Sequence, residues 1–145
     1  MTSPPTPGPI AIRSIDHVVL RIIDLDASLH FYCEVLGCRI ERRVDELGLV
    51  QLRAGASLID LVPVDSPLGR GGGPAAGHQA RNVDHFALQL EHFDEAAIRS
   101  HLEPHGLTAG EVSERYGAEG HGPSMYLNDP DGNVVELKGP PSGGC

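Results

Sequence analysis

The stretch Met125–Lys138, MYLNDPDGNVVELK, reads as strand, tight turn and strand. Asp129-Pro130-Asp131-Gly132 makes the turn, since Pro130 presets φ for a turn corner and Gly132 can take φ > 0. On the exit strand Val135 and Leu137 share one face, and Val134, Glu136 and Lys138 share the other. Glu136 is therefore a carboxylate in the middle of an otherwise apolar strand. It is either solvated or held for chemistry, and the rest of the chain decides between the two.

Working outward, the last strand has a counterpart upstream. Leu58-Ile59-Asp60-Leu61 sits over Val134-Val135-Glu136-Leu137, and Ile15-Asp16-His17-Val18-Val19-Leu20 over Val83-Asp84-His85-Phe86-Ala87-Leu88. Asp26 falls on Asp94 at the same offset. In the first half a β-branched strand, Ile12–Ile23, is followed by a helix over Ala27–Leu36 that Asp24–Asp26 can cap and Gly37 can stop. Strands Cys38–Asp45, Leu49–Arg53 and Ser57–Val62 complete it. The second half repeats the order: strand Asn82–Leu90, helix Phe93–Leu102 capped by Asp94, then strands Leu107–Arg115, His121–Asn128 and Asn133–Lys138. The chain is thus read as α+β, with two tandem βαβββ modules (residues 12–63 and 82–138) forming a curled mixed sheet around a cavity. Residues 1–11 are a disordered lead-in, 139–145 a flexible tail, and 64–81 a Gly/Pro-rich linker. The linker's GRGGG run has no helix after it to present amides to a phosphate, so linker or mobile lid is the reading.

The 145 residues carry 20 acidic and 11 basic side chains, a net charge of −9, with no Lys/Arg cluster. That disfavours nucleic acid as a partner. No apolar run approaches the roughly 20 residues of a membrane helix. The start, MTSPPTPGP, has neither the basic nor the apolar region of a signal peptide. Cys33, Cys38 and Cys145 are an odd set without CxxC spacing, which reads as reduced thiols in a cytoplasmic protein.

Strand alternation places His17 with Val19 and Arg21, and His85 with Ala87 and Gln89, on the face away from the helix-covering one. Asp60 and Glu136 stand on the corresponding last strands. If each half curls, these faces are concave and enclose two imidazoles and two carboxylates, a donor set suited to a divalent metal. Asp60 is one methylene shorter than glutamate, about 1.5 Å of reach, so it ligates, acts through water, or only hydrogen-bonds. Asp16 and Asp84 point to the opposite face by the same alternation, and their repetition has no role in this reading. His30, His78, His92, His101, His105 and His121 lack the symmetry and read as surface residues, with His121 a pocket candidate.

With these residues in place, the chain resembles the vicinal oxygen chelate superfamily of glyoxalase I, fosfomycin- and bleomycin-resistance proteins and extradiol dioxygenases. The carriers are IDHVVLRIIDLDASLHFYCEVLG (Ile15–Gly37), VDHFALQL (Val83–Leu90) and YLNDPDGNVVEL (Tyr126–Leu137). The resemblance implies a divalent metal (Fe, Mn, Ni, Co or Zn) held by His17, Asp60, His85 and Glu136, a small-molecule substrate, and a homodimer whose subunits share the site. Asp60 stands where the family's glyoxalases carry glutamate. A lactoylglutathione lyase-type isomerisation is the activity first expected, with Glu136 moving the proton as base and then acid, beside Tyr126. Arg21 or Arg53 would hold an anionic tail, and Gln89 and Ser124 would contact substrate. Tyr126-x-x-Asp129-Pro130-x-Gly132-x-x-x-Glu136 also matches the tail of the extradiol signature, although His121 lies too close to Tyr126 to complete it. A metal-free small-molecule binder is the non-enzyme alternative.

Overall fold

The opening strand of each half pairs in parallel with the last strand of the same half, so each half closes on itself through a helix. This is seen in the computed structural model of the chain, which describes residues 8–77 and 79–142. Strand β1 (His17–Ile22) leads to helix α1 (Leu25–Leu29) and strands β2 (Arg39–Val44), β3 (Leu49–Ala54) and β4 (Ser57–Pro63). The second half holds β5 (Phe86–Gln89), α2 (Glu95–Leu102), β6 (Ser113–Gly117), β7 (Gly120–Asn128) and β8 (Val134–Lys138). The two four-stranded sheets run β1-β4-β3-β2 and β5-β8-β7-β6. This is the expected α+β pair of mixed, curled sheets. Asp24 and Asp94 cap the helices through the amides of Ala27 and Ala97, both at 3.1 Å, so the repeat extends to the caps.

Element ends differ from the sequence reading where a partner strand is missing. β1 begins at His17 rather than Ile12, because β4 offers no strand before Ser57. Ile12 and Ile15, β-branched but unpaired, remain 86% and 80% exposed. β5 likewise starts at Phe86, and β6 starts at Ser113, where its ladder with β7 begins, while Gly106 turns left-handed (φ 72°) to end the helical segment after α2. Helix α1 does not run evenly to Leu36. Its second half, His30–Val35, widens to a π-helix.

One apolar core serves both halves. Tyr32, Phe31 and Ile22 from the first pack with Leu102, Met125, Val135 and Leu137 from the second. The Asp129–Gly132 turn links the halves. Asp129 Oδ1 accepts from the amides of Asp131 (2.9 Å) and Asn133 (2.8 Å), and Oδ2 from Asn133 Nδ2 (2.8 Å) and the Tyr32 hydroxyl (2.7 Å). Burial, and then the Asp129 charge, push the Tyr32 phenol far above its ordinary value, so it serves only as a donor here. Gly132 takes φ 81°, as the turn reading requires.

The Gly-rich linker is anchored over its described part. Its 3₁₀ turn, Gly69–Gly72, is held by Arg21, which donates to the carbonyls of Gly69 (3.0 and 3.3 Å), Pro74 (3.2 Å) and Gly73. A Cβ at Gly72 would run into the Arg21 guanidinium, and one at Gly69 into the Pro63 carbonyl. The run of glycines thus lets backbone approach a side chain and a strand end. Residues 1–7 of the expected lead-in, His78, and residues 143–145 of the tail with Cys145 lie outside the described residues.

Asp131 carries a pH consequence. Its Oδ1 accepts from the Ile23 amide at 2.9 Å, while Oδ2 is buried without a partner among the described residues. Burial raises its carboxyl above the ordinary range, and the Ile23 bond opposes that only partly. An acid whose pKa is higher folded than unfolded costs stability when ionised, and the cost is relieved as pH falls through the folded pKa. Asp131→Asn keeps an acceptor for Ile23. Urea unfolding should find the variant at least as stable as wild type near pH 7, with wild type gaining relative to it as the pH is lowered through the raised pKa. A wild type that loses ground to the variant on acidification contradicts this.

Candidate functional site

The β5–β8 register places Ala87 opposite Glu136, and the β1–β4 register places Val19 opposite Asp60. Each histidine sits two residues before the strand partner of its carboxylate, so the two His/carboxylate pairs are geometric repeats of one another. His17 lies inside β1, so the pleat turns it to the side of Asp60, whereas His85 stands one residue before β5 and is placed on the side of Glu136 by its contact with that carboxylate.

In the second half the pair is closed. His85 Nε2 lies 3.2 Å from Glu136 Oε1, and the Glu136 side chain is only 8% exposed. His85 Nδ1 lies 2.8 Å from Asp84 Oδ2. The ring thus stands between two carboxylates, and a divalent cation at Nε2 can bridge imidazole and Glu136. Two ligands of one metal with bonds of about 2.1 Å lie about 3 Å apart, which the His85–Glu136 separation already matches.

In the first half His17 Nδ1 lies 2.8 Å from Asp16 Oδ2. That bond, with a smaller contribution from the Asp60 charge, raises the imidazole above its ordinary value. Asp60 is 3% exposed. Its Oδ2 accepts from Gln51 Nε2 at 3.0 Å, and its Oδ1 is buried without a partner among the described residues. An orphaned buried carboxylate oxygen beside an imidazole suits a cation, because leaving it unpaired is costly. The donor chemistry of both pairs therefore fits a divalent metal. Among the described residues no three His, Cys, Asp or Glu side chains stand close enough to form a cage. The chain brings the four expected ligands together as two pairs rather than as one set.

Tyr126 pairs in register with Glu136, and its ring meets the His85 ring edge to face with centroids 5.2 Å apart. Burial, and then the Glu136 charge, raise its phenol above the ordinary value, so it stays protonated beside the carboxylate at neutral pH. The other expected contacts lie differently. Ser124 is fully buried, and its hydroxyl and carbonyl accept from Arg115 at 2.8 and 2.9 Å. Gln89 donates to the carbonyls of Lys138 (3.1 Å) and Leu90 (3.4 Å). Arg21 is engaged by the linker, and Arg53 pairs with Glu41 on the neighbouring strand. His121 is exposed and packs edge-on to Tyr116. His30 and His105 meet at 3.2 Å at the junction of the helical segments.

Three features escaped the sequence reading. Asp16 and Asp84 each hold the Nδ1 side of the following histidine, which orients its ring and leaves Nε2 for another partner. The repeated Asp-His dipeptide was the available signal. Gln51 steadies Asp60. Arg115 lies with its guanidinium carbon 4.4 Å from the centre of the Tyr126 ring.

Each of the two βαβββ modules thus carries a histidine at the start of its opening strand and a carboxylate on its closing strand. The chain belongs to the Glyoxalase/Bleomycin resistance protein/Dioxygenase superfamily, whose sequence pattern matches residues 14–137. It is 30% identical over 127 residues to a catechol-2,3-dioxygenase of Bacillus subtilis, a match covering 85% of this chain but only 40% of that enzyme. It is 29% identical to a probable lactoylglutathione lyase of Synechocystis, covering 83% of this chain and 91% of that protein. The virulence protein STM3117 of Salmonella typhimurium superposes with a TM-score of 0.71 at 26% identity, over 91% of this chain and all of that one. No helix among the described residues is long and apolar enough to cross a membrane.

Proposed function

We propose that the protein is a metal-dependent enzyme acting on a small substrate with two vicinal oxygens, by isomerisation of the lactoylglutathione lyase type. The observation that carries this is the His85–Glu136 contact at 3.2 Å, matched by His17 and Asp60 at equivalent positions. The likeness to the Synechocystis protein over most of both chains supports the choice of reaction. A divalent metal bound by these residues supplies Lewis-acid polarisation of the substrate oxygens. Glu136 takes the substrate proton and returns it one carbon away. Its burial keeps water from competing for that proton, and the Tyr126 hydroxyl stands ready to donate to developing negative charge.

The complete site, in this reading, joins the His17/Asp60 pair of one subunit to the His85/Glu136 pair of a second copy in the cytoplasm. Exposed apolar side chains near the two pairs, Ile15, Val19 and Val83, supply a surface for that contact. The likeness to the Bacillus subtilis enzyme supports iron(II)-dependent catechol cleavage as the second reading.

The test is turnover by protein reconstituted with nickel, zinc, cobalt or iron(II), offered methylglyoxal with glutathione or catechol with oxygen. Thioester formation is the expected result. Oxygen uptake with iron alone favours the dioxygenase, and inertness on both overturns the isomerase reading.

A further inference from the structure

Four polar side chains with no part in the chemistry above gather where the helical segments of the two modules meet. His30 opens the π-helix His30–Val35, and Glu34, one turn on, reaches back to it. His101 lies in the last turn of α2, and His105 closes the 3₁₀ turn Glu103–His105 that follows. The segments touch where His30 Nε2 lies 3.2 Å from His105 Nδ1. His30 Nδ1 lies 2.9 Å from Glu34 Oε2. An ionised carboxylate only accepts, so Glu34 keeps the ring proton on Nδ1 and leaves Nε2 with its lone pair toward His105. His101 Nε2 meets the Val35 carbonyl at 2.8 Å, a second tie between the segments, and its ring lies 5.5 Å from that of His105. A groove of about 290 Å³, lined in part by His30, His105, Leu107 and Asn128, opens beside the pair and gives water room. His30 is exposed and His105 half-buried, so an ion can enter from solvent.

We propose that His30 and His105 form a second metal site, which takes a borderline divalent cation such as zinc, nickel or copper and clamps the first module's helix to the second's. Two ligands of one metal with bonds of about 2.1 Å lie about 3 Å apart, and the two imidazole nitrogens already stand at that separation. Imidazole nitrogen suits these ions, and a carboxylate on the far nitrogen of a ligating ring raises its basicity and fixes its orientation, which is what Glu34 does. The net charge of −9 draws cations to the surface. The site stands on helical segments, whereas His17, Asp60, His85 and Glu136 stand on strands or at a strand's start, so the two are separate. Among the described residues no third donor closes a cage around the pair, and water fills the remaining positions. An ion held by two imidazoles exchanges readily and leaves on desalting, so it does not add to the metal retained through purification.

The test titrates zinc calorimetrically into metal-stripped wild type, His85→Ala, His30→Ala, His105→Ala, Glu34→Ala and His92→Ala, with melts in EDTA confirming that each protein is folded. Wild type should show a tight class and a weak class, and His85→Ala should lose the tight class alone. His30→Ala and His105→Ala should each weaken the weak class about tenfold or more and spare the tight one. Glu34→Ala should weaken it about tenfold by freeing the His30 ring. His92, exposed and outside the cluster, should be dispensable. Zinc at about ten times the weak-class Kd should raise the melting temperature of His85→Ala by about 4 °C, a rise that His85→Ala/His105→Ala should lack. No weak class in wild type, a weak class that survives both His30→Ala and His105→Ala, or one lost as readily in His92→Ala overturns the site. Unchanged affinity in Glu34→Ala overturns the orienting role of that carboxylate. An equal rise in melting temperature with and without His105 overturns the clamp.

Discussion

An Asp129→Ala protein should melt about 10 °C below wild type. Asp129 is 5% exposed and accepts four hydrogen bonds, from two amides, the Asn133 side chain and the Tyr32 hydroxyl. Truncation leaves those donors without an acceptor in a place water reaches poorly. Each unpaired buried donor costs about 1–3 kcal/mol, part of which relaxation recovers, so a net loss of about 3–4 kcal/mol is expected. For a domain of this size that corresponds to about 3 °C per kcal/mol. Tyr32→Phe removes only one of the four bonds and should cost about 1 kcal/mol. The two effects should not add, because the Tyr32 bond is counted in both. Thermal melts of the two single variants and the double variant measure this. An Asp129→Ala protein as stable as Tyr32→Phe would mean that the turn does not join the halves.

The second large effect is expected on turnover. Glu136→Gln keeps the volume and a side-chain oxygen but removes the carboxylate proposed as the base. With whichever substrate the wild type turns over, kcat should fall by about 10²–10⁴, the usual worth of a positioned proton-transfer group. KM should change much less, since the proton moves only in the transition state. Steady-state kinetics on protein with matched metal content decide the matter. A kcat within twofold of wild type removes Glu136 as the base.

Much of this architecture was legible in the chain. The Asp129–Gly132 turn and its two strands depend on local chemistry, Pro130 and Gly132 in the turn and a period of two beside it, and local chemistry is readable. The two halves were legible because His17 over His85 and Asp60 over Glu136 repeat at matching offsets. Strand alternation put each histidine on the face of its carboxylate, which agrees with the β1–β4 register for His17 and Asp60 and with the 3.2 Å contact for His85 and Glu136. What escaped depends on where a ladder starts or on contacts far along the chain. Alternation sent Asp16 and Asp84 away from their histidines, but that rule holds only inside a paired strand, and both lie just before pairing begins. There the backbone is free to turn the carboxylate back onto Nδ1. Arg115 escaped because it stood at the end of the strand expected over Leu107–Arg115, whereas β6 runs Ser113–Gly117 and carries it in the middle. The bond between Asp129 and Tyr32 spans 97 positions, and nothing local announces it. Arg21 shares its face with His17, but a sequence cannot tell that linker carbonyls surround its guanidinium.

The most direct test of the account is metal content per subunit, measured on anaerobically purified protein beside a His85→Ala control. The account predicts about one equivalent of a divalent transition metal in wild type and its loss in the control, because His85 Nε2 and Glu136 form one of the two pairs that hold it. Metal retained in full by His85→Ala, or none taken up by wild type after the ions are added back, would contradict it.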